Sequence, residues 1–452
     1  MFNATSALAA AAPVPYWLDS ADRPAPRPAL RGSVSADLAI VGGGFTGLWA
    51  AVRAKERDPD RNVVLVEGAR IGWAATGRNG GFCEASLTHG EANGRERWPE
   101  EYATLERLGL ENLDAIEETL KKHDIDCDFR RTGALTVATQ PHQIADLEGD
   151  GHLDREAVRA ELDSPTFLAG HWEKHGTAIV DPARLAWGLA RVAEQAGVRI
   201  FERSVVRGLA ADGTLRINDD ATVRANRIAL GTNVFRSPLK RIRPYTVPVY
   251  DYVLMTEPLS RTQLDEIGWR NRQGVSDSGN QFHYYRLTED DRILWGGYDA
   301  VYYFGRKVRR KYDQRPATFH RLAEHFVETF PQLEGIGFTH KWGGAIDTCS
   351  RFCAFFGTAY AGRVAYASGY TGLGVGASRF GADVMLDLLA GDRTERTELE
   401  MVRTRPIPFP PEPAAYAGIQ LTRAALARAD RDGGRRNLWL RSLDALGMGF
   451  DS

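Results

Sequence analysis

The most regular pattern of apolar positions in this chain starts at residue 37. Residues 37–41 read DLAIV, a short and nearly continuous apolar run that is typical of a buried parallel strand. A helix is predicted to follow over residues 46–57, and a second apolar run over residues 62–67, NVVLVE, predicts another strand. The order strand, helix, strand indicates a βαβ unit.

The rest of the chain carries weaker patterns of the same two kinds. The charged, periodic residues 98–122 predict a surface helix. Residues 182–196 predict another helix with Asp181 as its N-cap, and a last long helix is expected to run to Leu389. The remaining predicted strands are short, and several are rich in aromatic residues: 199–203, 222–229, 248–256, 282–287, 293–297 and 363–368.

Both ends of the chain are rich in proline. Five prolines between residues 13 and 28 predict that the first 33 residues form an extended arm without regular structure. Near the other end, residues 406–413 read PIPFPPEP and favour polyproline II. A terminal helical stretch is then expected to dock on the body of the protein through its large apolar residues: Leu438, Trp439, Leu440, Leu443 and Leu446.

Composition narrows the class of protein. A chain of 452 residues with 43% apolar side chains can bury a large core, shared by two domains. The net charge of −2 does not indicate nucleic acid or an anionic membrane as partner. The four cysteines are scattered, so neither a disulfide framework nor a metal site is expected. Without a membrane-spanning apolar run or a signal peptide, the protein is expected to be soluble and cytoplasmic.

The first chemical motif is GGGFTG at residues 42–47, which fits G-x-G-x-x-G between a predicted strand and a predicted helix. Gly42 allows the tight turn, Gly44 lets the backbone approach a pyrophosphate, and Gly47 lets the helix pack closely on the strand. The helix N-terminus then turns its partial positive charge toward the phosphates. The residues assigned to the cofactor from this motif are Gly42, Gly44, Phe45, Thr46 and Gly47.

An acidic residue follows at the spacing that a dinucleotide site requires. Glu67 lies 20 positions after Gly47, at the end of the second predicted strand, and Gly68 and Ala69 come next. A carboxylate there accepts both hydroxyls of an adenosine ribose and repels a 2′-phosphate. We therefore predict a dinucleotide with an unphosphorylated ribose, which leaves FAD and NAD open.

Two further glycine clusters favour FAD. TGRNGG at residues 76–81 offers bare backbone to a pyrophosphate or a flavin ring. GYTGLG at residues 369–374 opens a helix, whose N-terminus stabilises negative charge on a reduced flavin. Each cluster alone fits an ordinary turn, but three in this order do not. The residues assigned to FAD are Thr76, Gly77, Arg78, Asn79, Gly80 and Gly81 in one cluster and Gly369, Gly372, Leu373, Gly374 and Val375 in the other.

These motifs together resemble the D-amino-acid oxidase superfamily of flavoproteins, which includes glycine oxidase and sarcosine oxidase. Within it, the γ-glutamylputrescine oxidase-like proteins are the most similar. The resemblance covers about residues 16–392. Besides the glycine clusters and Glu67, it rests on the order of Tyr16-Trp17, RTGALTVA (131–138), VDPARLAWGLA (180–190), ALGTN (229–233), TEPL (256–259) and WGG (342–344).

The resemblance implies a mixed α/β and α+β fold. A discontinuous Rossmann-like FAD-binding domain is joined to an antiparallel-sheet substrate domain that roofs the flavin, as in D-amino-acid oxidase and glycine oxidase. It adds Val206, Gly231 and Thr232 to the FAD contacts. The expected division is an N-terminal arm (1–33), the FAD-binding domain (34–90, 176–240 and 341–392), the substrate domain (91–175 and 241–340) and a C-terminal Pro-rich segment with a docking helix (393–452).

The activity that the resemblance implies is oxidation of a C–N bond: hydride passes from carbon to flavin N5, and the resulting imine is hydrolysed. The electron acceptor is oxygen or another acceptor. Three alternatives stay open: an amino-acid oxidase or dehydrogenase, a flavin hydroxylase fed by a nicotinamide cofactor, and an FAD-binding electron-transfer subunit whose Pro-rich tail docks a partner.

Departures from the family pattern refine this picture. Sarcosine oxidases attach flavin to a cysteine where this chain has Ala345, with Cys349 and Cys353 displaced along the chain, so non-covalent FAD is favoured. The arginine and lysine that hold a substrate carboxylate in those oxidases fall near Cys83 and Gly376. Without these cations an α-carboxylate loses its charge-assisted contacts, which favours an amine lacking one.

Two other family features are also missing. The strand that should supply a lysine promoting oxygen reactivity reads RILW at residues 292–295, with Lys341 or Lys240 as substitutes. The histidine common in the last glycine cluster is Leu373. Whether oxygen is the acceptor is therefore open.

Candidate substrate residues come from the aromatic strands. They form a predicted cage for an amine or an apolar group, and the alternative for each is a place in the core. Asp251 and Asp347 are the carboxylates predicted to pair with an ammonium. The aromatic candidates are Tyr250, Tyr252, His283, Tyr285, Trp295, Trp342 and Tyr370.

Overall fold

The computed structural model describes residues 3–448, whose strands fall into two large sheets and one small one. In chain order the strands are β1 (Gly32–Val41), β2 (Val63–Val66), β3 (Phe82–Glu84), β4 (Ala134–Ala138), β5 (His152–Leu153), β6 (Ala169–Glu173), β7 (Thr177–Ile179), β8 (Arg199–Phe201), β9 (Val206–Leu209), β10 (Thr214–Ile217), β11 (Ala221–Leu230), β12 (Val247–Thr256), β13 (Gly274–Asp277), β14 (His283–Leu287), β15 (Ile293–Gly297), β16 (Val301–Tyr302), β17 (Phe338–Thr348), β18 (Phe355–Ala359) and β19 (Val364–Ser368). The helices are α1 (Ala4–Ala7), α2 (Phe45–Arg57), α3 (Glu91–Arg97), α4 (Tyr102–Lys122), α5 (Arg155–Glu161), α6 (Pro182–Gln195), α7 (Arg261–Ile267), α8 (Pro316–Thr329), α9 (Gly374–Ala390), α10 (Glu395–Glu398), α11 (Glu400–Arg403), α12 (Ala414–Arg431) and α13 (Leu438–Ala445).

The first large sheet is parallel at its centre. Its strands lie in the order β18-β19-β11-β1-β2-β8, and all neighbours from β19 to β8 are parallel. The inner half of β1 and all of β2 are buried, as their apolar runs predict. Helix α2 connects β1 to β2 and packs against α6 and α9. The predicted βαβ unit is confirmed.

The second large sheet is mostly antiparallel. Its order is β16-β12-β15-β14-β13-β4-β6-β5, with β17 paired along β12, and only β13 and β4 run parallel within it. Helix α8 packs on one face of this sheet against aromatic side chains. Together the two sheets confirm the expected mixed α/β and α+β fold. The exact domain boundaries stay a prediction.

Most predicted elements occur within a few residues of their expected bounds, and Asp181 caps α6 by accepting from the amides of Ala183 and Arg184. The helix predicted over residues 98–122 is wrong at its start. Trp98 ends the separate helix α3, and α4 begins at Tyr102. The reason is Pro99, because a residue preceding proline is disfavoured in helical conformation.

The N-terminal arm also contains more structure than expected. Helix α1 is capped by Asn3, whose side chain accepts from the Ser6 amide, and residues 16–18 form a 3₁₀ turn. The prediction of no regular structure is wrong for these parts, since the prolines at 24, 26 and 28 lie beyond them. Among residues 3–448, no helix is both long enough and apolar enough to cross a membrane.

The C-terminal segment forms a helical hairpin. Only part of the predicted docking surface is buried: Leu440 is 1% exposed against Ala425 and Ala429 of α12, whereas Leu438 and Leu446 are 80% and 60% exposed. The docking prediction is therefore wrong for Leu438 and Leu446. The short α13 packs on α12 through Leu440, while Leu438 and Leu446 are exposed to solvent.

Candidate active site

A cavity of about 1650 Å³ is lined by residues of both large sheets. The first sheet contributes the turns that follow β1, β2 and β11 and the turn between β19 and α9. These strands are parallel, so their carboxyl ends meet at one edge of the sheet, where ligands of open α/β sheets bind. The second sheet contributes residues of β12, β14 and β17.

The first glycine motif forms the turn between β1 and α2. Gly42 has a φ of +111°, and a Cβ there would lie 2.3 Å from the carbonyl oxygen of Gly231. A Cβ at Gly47 would lie 1.9 Å from the carbonyl oxygen of Gly42. Both positions therefore require glycine for close backbone packing. Gly44 precedes α2, so the helix N-terminus faces the cavity.

Glu67 is locked in place at the end of β2. One carboxylate oxygen accepts from the Gly43 amide at 2.7 Å, and the other accepts from the Ala69 amide at 2.7 Å and the Trp73 indole at 3.0 Å. Burial raises the pKa of this carboxyl, and the two amides oppose that shift. The side chain holds the turns after β1 and β2 together at the cavity wall.

Most residues assigned to the cofactor face the same cavity. Gly47, Gly77, Gly81 and Gly369 do not line it but pack against backbone or side chains: a Cβ at Gly77, for example, would lie 2.3 Å from the Gly72 carbonyl oxygen. The residues that do line it are Gly42, Gly44, Phe45, Thr46, Glu67, Gly68, Ala69, Thr76, Arg78, Asn79, Gly80, Val206, Gly231, Thr232, Gly372, Leu373, Gly374 and Val375.

Four of the aromatic candidates lie outside the cavity lining. Tyr252, Tyr285 and Trp295 are buried in the core between the second sheet and α8. The Trp342 indole donates to the Arg78 carbonyl at 2.9 Å. These four side chains therefore belong to the core, which was the alternative interpretation of each of them.

His283 does not line this cavity either. Its Nδ1 is 2.7 Å from Asp277 and its Nε2 is 3.0 Å from His325, and it lines a neighbouring cavity of about 810 Å³. Its ring stacks on Trp295 at 4.8 Å between centroids.

Successive side chains of a strand point to opposite faces, and this explains the outcome. In β14, His283 and Tyr285 point toward α8, while Tyr284 between them lines the cavity. In β12, Asp251 and Val253 line it while Tyr252 packs on Phe319 of α8. Sequence reasoning missed Tyr284, because alternation defines two faces without saying which one is the site.

The two predicted carboxylates both line the cavity. Burial raises the pKa of Asp251 to about 6, and its oxygens accept from the Tyr284 hydroxyl and, at 2.7 Å, from the Tyr252 amide. Burial raises the pKa of Asp347 to about 7, and it accepts from the Gly369 amide at 2.6 Å. Both carboxylates are thus buried and held by internal donors at the cavity wall.

Tyr370, the remaining aromatic candidate, lines the cavity and links two of the glycine clusters. Its hydroxyl accepts from the Thr46 hydroxyl at 3.1 Å, and burial raises its pKa. Tyr250 also lines the cavity, although it shares the face of β12 that carries Tyr252 and is fully buried against Tyr303 and Tyr312. The candidate cage thus consists of Tyr284 and two predicted residues, Tyr250 and Tyr370.

Two arginines that line the cavity, Arg78 and Arg423, are already paired with acids, whereas Arg207, Arg236 and Arg243 also line it. Arg78 donates to Asp313 at 2.8 Å and to the Gly343 carbonyl at 2.8 Å. Arg423 forms an ion pair with Asp299 at 2.6 Å. Cationic contacts to a substrate carboxylate from these two side chains would have to compete with buried acids.

The structure also shows which of the positions that depart from the family pattern line the cavity and which are buried. Ala345 lines the cavity, whereas Cys349 and Cys353 are fully buried and outside its lining. Cys83 is fully buried, and a Cβ at Gly376 would lie 2.1 Å from the Glu84 carbonyl oxygen.

The two lysines considered as substitutes differ in position. Lys240 lines the cavity, while Lys341 donates to the Leu8 carbonyl at 3.1 Å and lies outside the lining.

A parallel sheet with glycine turns at its carboxyl edge, facing an antiparallel sheet across a large cavity, is the arrangement of a dinucleotide-binding protein with a separate substrate region. The family model described as FAD dependent oxidoreductase matches residues 37–388. This chain belongs to that family, and FAD is its cofactor.

Individual relatives agree with this family. The chain is 30% identical to the gamma-glutamylputrescine oxidoreductase of Escherichia coli, over 90% of this chain and 97% of that protein. It is 27% identical to the probable oxidoreductase OrdL of Haemophilus influenzae, over 83% of this chain and 88% of that protein. Glycine oxidase from Geobacillus kaustophilus superimposes with a TM-score of 0.67 at 19% identity, covering 82% of this chain and 99% of that chain.

Proposed function

We propose that this enzyme oxidises a C–N bond of an amine that lacks an α-carboxylate. The observation that carries the proposal is the buried Asp251, hydrogen-bonded by Tyr284, in a cavity where Arg78 and Arg423 are each paired with an acid. A carboxylate attracts an ammonium group, while Arg78 and Arg423 can bind a substrate carboxylate only in competition with the acids that already pair with them.

Asp251 has two roles in this proposal. With a pKa of about 6 it is mostly ionised at neutral pH, so it pairs with a cationic amine and orients it. The amine must lose a proton before a hydride can leave its carbon, and a carboxylate whose pKa is raised by burial accepts a proton more readily than one in water. Tyr284 holds the carboxylate in position.

The glycine turns fit the cofactor that the family uses. A Cβ at Gly372 would meet nothing within 4 Å, and Gly42 and Gly44 present bare backbone beside the N-terminus of α2. In our proposal these positions and Glu67 hold the dinucleotide, and residues 76–80 lie along it. FAD, when bound, supplies the acceptor for the two electrons that leave the C–N bond.

The names of the relatives support an amine substrate. One acts on a putrescine derivative, and a structural neighbour is a glycine oxidase. We place this chain with the first, because its positions near Cys83 and Gly376 are packed and carry no cation. The electrons then pass to oxygen or to another acceptor. Lys240 lines the cavity, so it is the lysine to replace in a test of oxygen reactivity.

An anaerobic titration of the purified holoenzyme tests the proposal. Primary and secondary amines should bleach the flavin absorbance, and glycine and sarcosine should not. Bleaching by α-amino acids alone would overturn the substrate class. Reduction that requires a nicotinamide cofactor would instead favour a hydroxylase, and turnover only with an added protein acceptor would favour an electron-transfer subunit.

A further inference from the structure

We propose that the C-terminal hairpin, residues 407–448, is the wall of the cavity that binds the hydrocarbon part of the amine and selects for its length. The inference rests on the proposed function and names its substrate class: an amine whose reacting carbon continues into an alkyl chain. The family match ends at residue 388, so this wall is built from residues outside the matched region.

One face of α12 lines the cavity. The lining residues of this helix recur every three to four positions, mostly as adjacent pairs, as one helix face requires: Ala414, Ala415, Gly418, Ile419, Thr422, Arg423 and Leu426. Trp439 and Leu443 of α13 continue the same wall, and the Trp439 indole donates to the Thr422 hydroxyl at 2.9 Å.

The hairpin is anchored to the second sheet at both ends of α12. Before the helix, Glu412 accepts from the Tyr302 hydroxyl and from the Gly305 amide at 3.0 Å. Near its end, Asp430 accepts from the amides of Asn280 at 2.9 Å and Gln281 at 3.1 Å. These contacts fix which face of α12 is turned toward the cavity.

The chemistry of this face points to hydrocarbon as its occupant. It offers methyl, methylene and indole surface, and its one charged lining side chain, Arg423, is neutralised by Asp299 at 2.6 Å. An apolar wall stabilises an alkyl chain by removing it from water, and it offers nothing to a second charge.

Gly418 makes the wall testable. It lies inside α12, where glycine is unfavourable, and a Cβ there would meet nothing within 4 Å. A Cβ at this position therefore clashes with nothing, a larger side chain takes up space at the cavity wall, and the helix propensity rises. Its neighbour Ala417 is exposed and does not line the cavity, so it provides a matched control.

The experiment compares the wild-type holoenzyme with Gly418→Leu and Ala417→Leu, using n-alkylamines from ethylamine to octylamine. Binding is measured by anaerobic calorimetry and flavin reduction by absorbance. In the wild type and in Ala417→Leu, each added methylene should lower Kd by about fourfold, as expected for a buried CH₂. In Gly418→Leu, octylamine should bind roughly tenfold more weakly while ethylamine changes little.

The outcomes separate the two ideas. If Gly418→Leu changes the Kd of every alkylamine by the same factor while the amines still bleach the flavin, the wall inference is wrong and the proposed function stands. If amines bind with the predicted length dependence but none bleaches the flavin, the function is wrong and the wall stands. If no amine binds, both are wrong. Gly418→Ala, which adds a single methyl group, should give a smaller effect of the same sign.

Discussion

Tyr284 of β14 reaches across the intervening strand β15 to donate its hydroxyl to Asp251 of β12. Gly296 of β15 leaves the space for this contact, because a Cβ there would lie 2.6 Å from Cζ of the Tyr284 ring. Three adjacent strands thus combine a donor, a carboxylate and a bare backbone position into one site on the cavity wall.

Replacing Asp251 by asparagine should lower kcat/KM for amines by roughly tenfold to a hundredfold, the usual range for losing a charged hydrogen-bonding partner. In the wild type, kcat/KM should fall as the pH drops through about 6, because protonated Asp251 no longer attracts an ammonium. The Asp251→Asn variant should not show this fall at low pH, which is the acid limb of the pH profile. Asp265→Asn, at an exposed position of α7, is the control. If Asp251→Asn kept the same acid limb, that pH dependence would belong to another titrating group.

Replacing Tyr284 by phenylalanine should move the acid limb to higher pH. The tyrosine hydroxyl stabilises the ionised carboxylate, so its loss raises the pKa of Asp251 further. Gly296→Ala should shift the limb in the same direction by displacing the ring. Both shifts are measured from the pH dependence of anaerobic flavin reduction. A limb that stays in place in both variants would mean that the contact does not tune Asp251.

Glu67→Gln should weaken FAD binding by about tenfold or more, because a neutral amide forms weaker hydrogen bonds than a carboxylate and brings an N–H toward the Ala69 or Gly43 amide. The affinity is obtained by titrating the FAD-free protein with FAD and following flavin fluorescence. Glu106→Gln, on the exposed face of α4, should bind FAD as the wild type does. If Glu67→Gln and Glu106→Gln bound FAD equally well, Glu67 would not contribute to FAD binding.

All of the flavin should leave the protein on acid precipitation. Ala345 has no nucleophile, and the thiols of Cys349 and Cys353 are fully buried outside the cavity lining, with the pKa of each raised by burial. The flavin content of supernatant and pellet is measured by absorbance. A pellet that stays yellow after washing would indicate a covalent bond.

Asp347→Asn should remove a pH dependence of stability. Because burial raises the pKa of Asp347 to about 7, the folded protein binds a proton that the unfolded chain has already lost between about pH 4 and 7. The contribution of this group to the free energy of unfolding therefore falls as the pH rises through that window. Thermal unfolding curves at several pH values should show the wild-type Tm falling relative to the variant. Parallel pH profiles would contradict the prediction.

The local motifs could be interpreted correctly from the sequence because their constraints act over a few residues. Gly42 and Gly47 are needed where backbone meets backbone, and Glu67 follows at the distance that a strand–helix–strand unit sets. The apolar runs of β1 and β2 predict burial on both faces. Even Asp251 and Asp347 could be proposed, since a carboxylate within a buried strand calls for a partner.

The aromatic wall shows where sequence reasoning ended. Tyr284 and Tyr285 are adjacent, equally aromatic and part of the same strand, but one lines the cavity and the other packs beneath α8. The choice depends on which face of the sheet the helix covers, a contact between residues far apart in the chain.

The sequence by itself determined the βαβ unit, the glycine turns and FAD as the cofactor, since the motifs behind them depend on local backbone geometry. Only the tertiary structure decided that Tyr284 reaches Asp251 across Gly296, and that one face of α12 lines the cavity. The physical reason is that a side chain's neighbours across a sheet or a domain are set by packing of the whole chain, which no short stretch of sequence contains.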